Sequence, residues 1–260
     1  MPRRTGTKKS SKSKTPGEGA RARPLLRGKV ALITGASRGI GLAIAKALAA
    51  EGCDLVITAR NESTLKKVGR ELERQGIRVL VKACDVGQEH SVDSLLKLVK
   101  QKFGRLDFLI NNAGTSHAMA EADKLSPKVW QEVLATNLTG MFLCTRAALP
   151  LMSRGGTIVN NLSVAAKGVF AGESAYCASK HGGLGFTNTL REEVRGRGIR
   201  VIALMPGPTD TDIWDQFMPN ALRHRMLRPE IVAKAVLDAL LLPDESMVEE
   251  ITLTPTAGAI

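Results

Sequence analysis

Tyr176 and Lys180 stand four residues apart in a segment of helical pattern, which places both side chains on one face of a helix. A free tyrosine has a pKa of about 10, and a nearby ammonium group lowers it by stabilising the phenolate. A tyrosine activated in this way can exchange a proton with a substrate oxygen near neutral pH. We therefore expect Tyr176 to act as general acid and base with its pKa lowered by Lys180, although either residue alone would suit an ordinary core or surface position.

A glycine-rich turn supplies a second kind of chemistry. A short apolar run ends at Thr34 and continues as GASRGIG into a helical pattern. Gly35, Gly39 and Gly41 allow the backbone to turn sharply and approach a ligand closely. The helix that follows points its free N–H groups and the positive end of its dipole at that ligand. A glycine-rich loop can be only a tight turn, but the strand–turn–helix context favours a site for the diphosphate of a dinucleotide.

The spacing G-x-x-x-G-x-G of this turn resembles the cofactor motif of the short-chain dehydrogenase/reductase family. Further segments match the family's motifs in their order along the chain, and the resemblance covers about residues 28–255. These segments are Asn111-NAG-Gly114, Asn137, Ser163, Tyr176-CASK-Lys180 and Pro206-GPTDTD-Asp212.

The resemblance implies an oxidoreductase that interconverts a ketone or aldehyde and an alcohol by hydride transfer, with a 3-oxoacyl-type reductase as one possible member. It implies a catalytic set of Asn137, Ser163, Tyr176 and Lys180. Ser163 would bind the substrate oxygen, Lys180 would also hold the nicotinamide ribose, and Asn137 would hold a water that relays protons to Lys180. The alternative is a cofactor-binding regulatory or scaffold protein without turnover.

The family pattern also implies a set of cofactor-binding residues, and the spacing of the Cys and His residues predicts no metal site. Thr209 departs from the pattern, since isoleucine or valine is common there, and we expect it to make the pocket more polar. The cofactor-binding set is Gly35, Ser37, Arg38, Gly39, Ile40, Gly41, Arg60, Asp85, Val86, Asn112, Ala113, Gly114, Tyr176, Lys180, Pro206, Gly207, Thr209 and Thr211.

The end of the second predicted strand indicates which nicotinamide cofactor is used. An acidic residue at this point binds the ribose 2′-hydroxyl in dinucleotide folds. Here Ala59 occupies its place and Arg60 follows, while the glycine-rich turn carries Arg38. A guanidinium group suits the 2′-phosphate, so we predict NADP(H), with two solvated surface arginines as the alternative.

Strand and helix patterns alternate between these motifs. The predicted strands are residues 29–34, 54–58, 77–81, 106–110, 157–162, 200–204 and 250–253, and the predicted helices are 40–50, 62–75, 91–103, 174–195 and 229–242. Most of the strands are short continuous apolar runs, as a parallel sheet covered by helices on both faces requires. We therefore predict one doubly wound, Rossmann-type α/β domain over residues 25–260, with a parallel sheet of about seven strands.

The positive charge is concentrated in an N-terminal tail. The net charge is +12, but residues 1–28 contribute +8 of it with nine Lys/Arg and one Glu, which leaves +4 for the remainder. Residues 1–24 nearly lack apolar side chains, so we predict a disordered basic tail. A solvated extension is favoured over a localisation or polyanion-binding patch and over a transit peptide. We therefore do not expect the folded domain to bind nucleic acid.

The rest of the composition limits location and partners. The longest stretches without Asp, Glu, Lys or Arg have 13 residues, which is too short for a membrane span of roughly 18 or more. Four cysteines without metal-binding spacing indicate reduced, mostly buried thiols and a cytoplasmic protein.

The partners that the sequence suggests are a small carbonyl or alcohol substrate and further copies of the chain. The family resemblance implies a homodimer or homotetramer assembled through helices at 137–152 and 174–195. We expect an apolar lid that includes Trp214, Phe217 and Met218, unless this segment only packs on the sheet or a neighbouring subunit. His117 is expected to line the substrate pocket. Further apolar wall is expected from Met119, Val164, Val169 and Phe170.

Overall fold

The chain folds around one parallel β-sheet in a computed structural model that describes Met1, residues 24–217 and residues 221–258. The strands are β1 (Val30–Thr34), β2 (Asp54–Ala59), β3 (Val79–Ala83), β4 (Phe108–Asn111), β5 (Thr157–Asn161), β6 (Arg200–Pro206) and β7 (Glu250–Leu253). Their order across the sheet is β3-β2-β1-β4-β5-β6-β7, and every neighbouring pair is parallel. The predicted seven-stranded parallel sheet is confirmed.

Helices connect the strands. They are α1 (Gly39–Ala50), α2 (Glu62–Glu73), α3 (Glu89–Phe103), α4 (Pro127–Leu134), α5 (Gly140–Ala148), α6 (Ser174–Arg195), α7 (Trp214–Phe217) and α8 (Pro229–Leu240). A π-helical turn, Ala135–Thr139, joins α4 to α5. Short 3₁₀ turns cover Leu149–Leu151, Val164–Ala166 and Arg223–Arg225.

The core lies on both faces of the sheet. All five residues of β1 are buried, and successive side chains point to opposite faces. Ala31 and Ile33 pack in a cluster with apolar residues of α1, α2 and α8. Val30 and Leu32 pack in a second cluster with apolar residues of α3, α5 and α6. Burial on both sides explains why the central strand reads as a continuous apolar run.

The bounds of several elements differ by one or two residues from the sequence-based prediction, among them those of β3, β4 and α3. Strand β3 begins at Val79 rather than Ile77. Arg78 lies just before the strand because its backbone N–H and its guanidinium both donate to the carboxylate of Asp54, at 2.6 to 2.8 Å. The helix expected at 137–152 is interrupted, since the π turn precedes α5 and a 3₁₀ turn follows it.

The connections place a crevice between β1 and β4. From β1 the chain builds outward through β2 to β3, and then returns to place β4 on the other side of β1. The loops that leave β1 and β4 therefore diverge, and such a switch point at the carboxyl ends of parallel strands is where α/β sheets bind ligands. The glycine-rich turn follows β1, and Asn112 to Gly114 follow β4.

The remaining predictions about the chain as a whole are only partly addressed by the structure. Of the predicted tail, only Met1 and Pro24 lie among the described residues. The four cysteines are free thiols, and Cys53, Cys84 and Cys144 are buried. Burial raises the pKa of the Cys53 and Cys144 thiols, so both are held in the unreactive protonated form. Within the described ranges, no helix combines the length and apolarity that a membrane crossing needs.

Candidate active site

A cavity of about 850 Å³ opens at the carboxyl ends of the strands. All but two of the predicted site residues line it. The exceptions are Gly41, which lies beneath the glycine-rich turn, and Asn137, which is buried behind the wall. The fold thus brings to one cavity residues that are more than 170 positions apart in the chain, such as Gly35 and Thr211.

The glycine-rich turn has the shape of a cradle for a phosphate group. Gly35 and Gly39 have φ angles of +66° and +57°, which disfavour other residues. A Cβ on Gly35 would lie 2.9 Å from the Cα of Ala113, and one on Gly39 would lie 3.1 Å from Cγ2 of Thr211. No side chain caps α1 at Arg38, so the first N–H groups of the helix are left for a ligand. A dinucleotide diphosphate fits these features.

Asn112 holds the crevice together. Its Nδ2 donates to the carbonyl oxygens of Thr34 at 2.9 Å and Gly35 at 3.2 Å, and its Oδ1 accepts from Nδ2 of Asn161 at 2.9 Å. One amide therefore ties the ends of β1, β4 and β5 together. Asn112 thereby fixes the position of the glycine-rich loop.

The end of the cavity beside β2 carries two arginines. Arg38 and Arg60 both line it together with Ala59, and no acidic side chain occupies the Ala59 position. Arg38 forms an ion pair with Asp212 at 3.2 Å, with both side chains more than half exposed. Arg60 has no ion-pair partner among the described residues, so its guanidinium is available to an anionic ligand.

Tyr176, Lys180 and Ser163 meet at the opposite end. Tyr176 and Lys180 lie on the first two turns of α6, and the Lys180 Nζ is 5.4 Å from the centroid of the Tyr176 ring. Nζ donates a hydrogen bond to the carbonyl oxygen of Asn161 at 3.1 Å. The Ser163 hydroxyl accepts from the backbone N–H of Ala165 at 3.1 Å and forms a hydrogen bond with the Tyr176 hydroxyl. The three side chains therefore lie close together, as the sequence predicts.

The electrostatics of the pair are governed by burial. Desolvation raises the pKa of Tyr176 to about 12, and the hydrogen bond with Ser163 opposes this rise. Desolvation also lowers the pKa of Lys180 to about 8. The direction for Tyr176 is opposite to that predicted from the spacing, because burial disfavours the phenolate and Nζ of Lys180 bonds to the carbonyl oxygen of Asn161. Burial therefore favours the protonated form of the Tyr176 hydroxyl.

Asn137 contacts α6 from behind the cavity wall. Its Oδ1 accepts from the N–H of Thr115 at 2.8 Å, and its Nδ2 donates to the Thr115 carbonyl at 2.9 Å and to Oγ of Ser179 at 3.0 Å. Ser179 in turn donates to the carbonyl oxygen of Tyr176 at 2.7 Å. Asn137 lies in the π turn, and such irregular turns are frequent at functional sites.

The residues expected around the substrate are only partly in place. Val164, Phe170 and Trp214 line the cavity, whereas Val169 and Met119 are exposed and do not belong to the wall as described. The side chain of Phe217 and all of Met218 lie outside the described part of the chain.

Thr209 makes the pocket less polar than expected. It lines the cavity, but its hydroxyl donates to the carbonyl oxygen of Gly207 at 2.9 Å. The backbone oxygen of Thr209 also accepts from the indole N–H of Trp214 at 2.9 Å. The Thr209 hydroxyl is thus bonded to the protein backbone and does not add a free polar group to the pocket.

The cavity wall includes residues that the sequence analysis missed. Glu173 lines it three positions before Tyr176, a spacing on one helix face that could have drawn attention to it. Thr254 and Pro255 line it after β7, where the carboxyl end of a further parallel strand should have been considered. His117 is buried and does not belong to the described cavity wall, so it lies one layer behind its predicted place.

Comparison with known families gives one family over most of the chain. The family model described as short chain dehydrogenase matches residues 29–221. This range contains the glycine-rich turn, the Asn111–Gly114 segment, and the Ser163, Tyr176 and Lys180 positions.

Individual proteins are similar at the level of sequence and structure. A 3-oxoacyl-[acyl-carrier-protein] reductase of Synechocystis sp. is 40% identical over 223 residues, which cover 81% of this chain and 88% of that protein. A D-beta-hydroxybutyrate dehydrogenase of Cupriavidus necator is 38% identical over 185 residues, or 70% of this chain and 71% of that one. A Thermococcus sibiricus alcohol dehydrogenase complexed with 5-hydroxy-NADP superimposes with a TM-score of 0.83 and 32% identity, covering 89% of this chain and 98% of that one.

Proposed function

The chain belongs to the short-chain dehydrogenase family of oxidoreductases, and from this premise we propose that it interconverts a ketone or aldehyde and an alcohol with NADP(H). The observation that carries the proposal is the placement of Tyr176, Lys180 and Ser163 at one end of a cavity whose other end carries Arg38 and Arg60. A scaffold protein without turnover would have no need of this arrangement.

The family resemblance implies a role for each residue at the reacting end, and the position of these residues at the cavity supports it. When bound, the reduced cofactor supplies the hydride that the carbonyl carbon accepts. The Tyr176 hydroxyl then gives its proton to the substrate oxygen, and in the reverse direction its phenolate takes that proton back. Ser163 donates to the same substrate oxygen and stabilises its developing charge. Lys180 holds the nicotinamide ribose and replaces the proton that Tyr176 has given.

A 3-oxoacyl thioester is a narrower candidate for the substrate. The Synechocystis reductase, named for such a substrate, is the relative that supports it. The test is a panel of simple ketones, aldehydes and an acetoacetyl thioester, each followed by the loss of NADPH absorbance. Failure of every carbonyl compound, together with failure of alcohols with NADP⁺, would rule out the proposed activity. The homodimer or homotetramer and the cytoplasmic location remain predictions.

We expect NADP(H) to bind more tightly than NAD(H), because two guanidinium groups flank the position where an acid would bind the 2′-hydroxyl. Arg60→Asp should remove one charged hydrogen bond and repel the 2′-phosphate. The loss of NADPH binding should be roughly 1–3 kcal/mol, with NADH affected much less. Fluorescence titration of both cofactors measures the two dissociation constants.

Arg27→Asp is the matched control for this prediction. It makes the same change of charge at an exposed residue that precedes β1. Arg27 therefore lies at the amino ends of the strands, whereas the cavity lies at their carboxyl ends. Net charge alone would weaken NADPH binding equally in both variants. Tighter binding of NADH than NADPH by the unmodified protein would refute the cofactor assignment.

A further inference from the structure

Glu173 is a buried carboxyl group in the wall of the proposed substrate cavity. It immediately precedes α6, three residues before Tyr176, and only 6% of its surface is exposed. The backbone holds it firmly, since the N–H of Ala120 donates to the carbonyl oxygen of Gly172 at 3.0 Å and that of Cys177 donates to Glu173 at 2.8 Å. The backbone of Glu173 is therefore fixed three residues before Tyr176, the residue proposed to exchange the proton.

Only one of the two carboxyl oxygens has a donor. Oε2 accepts from the hydroxyl of Ser116 at 2.7 Å, whereas Oε1 is buried with no hydrogen-bond partner among the described residues. A buried acceptor without a donor is costly, because the oxygen has lost its water and gained nothing in return. Burial accordingly raises the pKa of the Glu173 carboxyl. Oε1 is thus an unused hydrogen-bond acceptor, and the described part of the protein provides no donor for it.

His117, the other ionisable group beside this carboxyl, does not provide the donor when it is neutral. Its Nδ1 lies 2.8 Å from the carbonyl oxygen of Ala118, and a carbonyl oxygen can only accept, so Nδ1 carries the hydrogen. Nε2 is then an acceptor, and it too is buried without a partner in the described structure. Glu173 and His117 together thus offer two unmatched acceptors next to the cavity.

We propose that Glu173, oriented by Ser116 and backed by His117, forms a substrate subsite that binds a hydroxyl group carried by the carbonyl compound. A hydroxyl can donate to Oε1 and, unlike a carboxylate, brings no like charge toward Glu173. It also brings no second cation toward Lys180, as an ammonium group would. The preferred substrates are therefore hydroxy ketones or hydroxy aldehydes. This inference rests on the proposed carbonyl–alcohol activity and narrows its substrate class.

The test compares pairs of ketones that differ by a hydroxyl in place of a methyl group. Hydroxyacetone is paired with butanone, and 4-hydroxybutan-2-one with pentan-2-one, with kcat/KM measured by NADPH oxidation. In the unmodified protein the hydroxy ketone of at least one pair should be favoured by about tenfold or more, as expected for a charge-assisted hydrogen bond. Glu173→Gln should reduce that ratio by about tenfold, because a neutral amide is the weaker acceptor.

Glu121→Gln is the control, since it changes an exposed glutamate that pairs with Lys124 on the same loop. It should leave the ratio unchanged. A ratio near one in the unmodified protein, or the same ratio in Glu173→Gln, would overturn the subsite while butanone turnover upholds the proposed activity. An acetoacetyl thioester preferred over both hydroxy ketones, with no response to Glu173→Gln, would overturn it as well.

A binding measurement keeps the subsite testable if no ketone is reduced. Propane-1,2-diol and butan-2-ol differ by the same exchange of groups, and their dissociation constants follow from ligand-observed NMR titration of the protein with NADP⁺. Tighter binding of the diol, lost in Glu173→Gln, would support the subsite even if the proposed activity had failed. Equal binding of the two alcohols would overturn the subsite.

Discussion

Tyr176→Phe should lower the rate of carbonyl reduction at least about 100-fold, the low end for general acid catalysis. The change removes one oxygen and keeps the aromatic ring, so the packing of α6 should persist. Ser163 and Lys180 retain their contacts with Ala165 and Asn161, which do not involve the phenol. Steady-state NADPH oxidation with any accepted ketone measures the loss, and circular dichroism checks the fold.

Cys177→Ala is the control for Tyr176→Phe. Cys177 is the neighbouring half-buried residue on the same helix, and the proposed chemistry does not use it. Its variant should react at nearly the normal rate. Near-normal turnover in Tyr176→Phe would mean that another acid protonates the substrate, and Glu173 and His117 would be the first candidates.

The pH dependence of the two directions should have opposite signs. Burial raises the pKa of Tyr176 to about 12, so the hydroxyl is protonated at neutral pH and ready to act as an acid. Carbonyl reduction should then fall as pH rises toward the pKa that Tyr176 has in the loaded enzyme. Alcohol oxidation needs the phenolate and should rise over the same range.

The fold was predictable because its signals are local and repeated. The continuous apolar run of β1 and the helical spacing in α1 each follow from the surroundings that the sheet imposes on them. The boundary of β3 was missed because it depends on Asp54, which is 24 positions from Arg78. The π turn at Asn137 was missed because a single extra residue in a helix leaves the apolar spacing almost unchanged.

Most of the predicted site residues line the cavity, but the electrostatics of the candidate site were not predictable from the sequence. The four-residue spacing places Lys180 near Tyr176, but it does not predict that Nζ donates a hydrogen bond to the carbonyl oxygen of Asn161. The direction of a pKa shift depends on burial and on the nearest partner, and both are properties of the folded chain. Glu173 escaped for the same reason: its unpaired oxygen exists only when the loop of Ser116 and His117 packs against α6.

Lys180→Met should cause a loss of function together with a gain in stability. Loss of the ammonium group would remove the charged hydrogen bonds that we propose to the cofactor ribose, so NADPH should bind roughly 10- to 100-fold more weakly. Turnover should also fall, because Tyr176 loses the group that replaces its proton. Fluorescence titration and single-turnover NADPH oxidation separate the two effects.

The gain in stability follows from the buried charge of Lys180. Its pKa is lowered to about 8 in the folded protein, whereas an unfolded lysine has a pKa of about 10.4. Between these values the unfolded chain holds more protons, so the stability of the unmodified protein rises with pH across this window. Below pH 8 the full penalty remains, about 3 kcal/mol by the difference in pKa. Lys180→Met lacks this penalty but also lacks the hydrogen bond to Asn161, worth about 1 kcal/mol.

Urea unfolding without cofactor at pH 7 and pH 10 therefore provides a sharp test of how Lys180 is held. The variant should be more stable than the unmodified protein at pH 7, by about 2 kcal/mol, and this advantage should disappear by pH 10. Lys234→Met is the control, since Lys234 is exposed and pairs with Asp238 on α8, where little change is expected. An advantage of Lys180→Met that stays constant with pH would mean that methionine packs better than lysine. A variant less stable at pH 7 would mean that the ammonium group of Lys180 is well solvated or paired in the folded protein. Lys180 would then carry its positive charge beside Tyr176 at a higher pH than its burial implies.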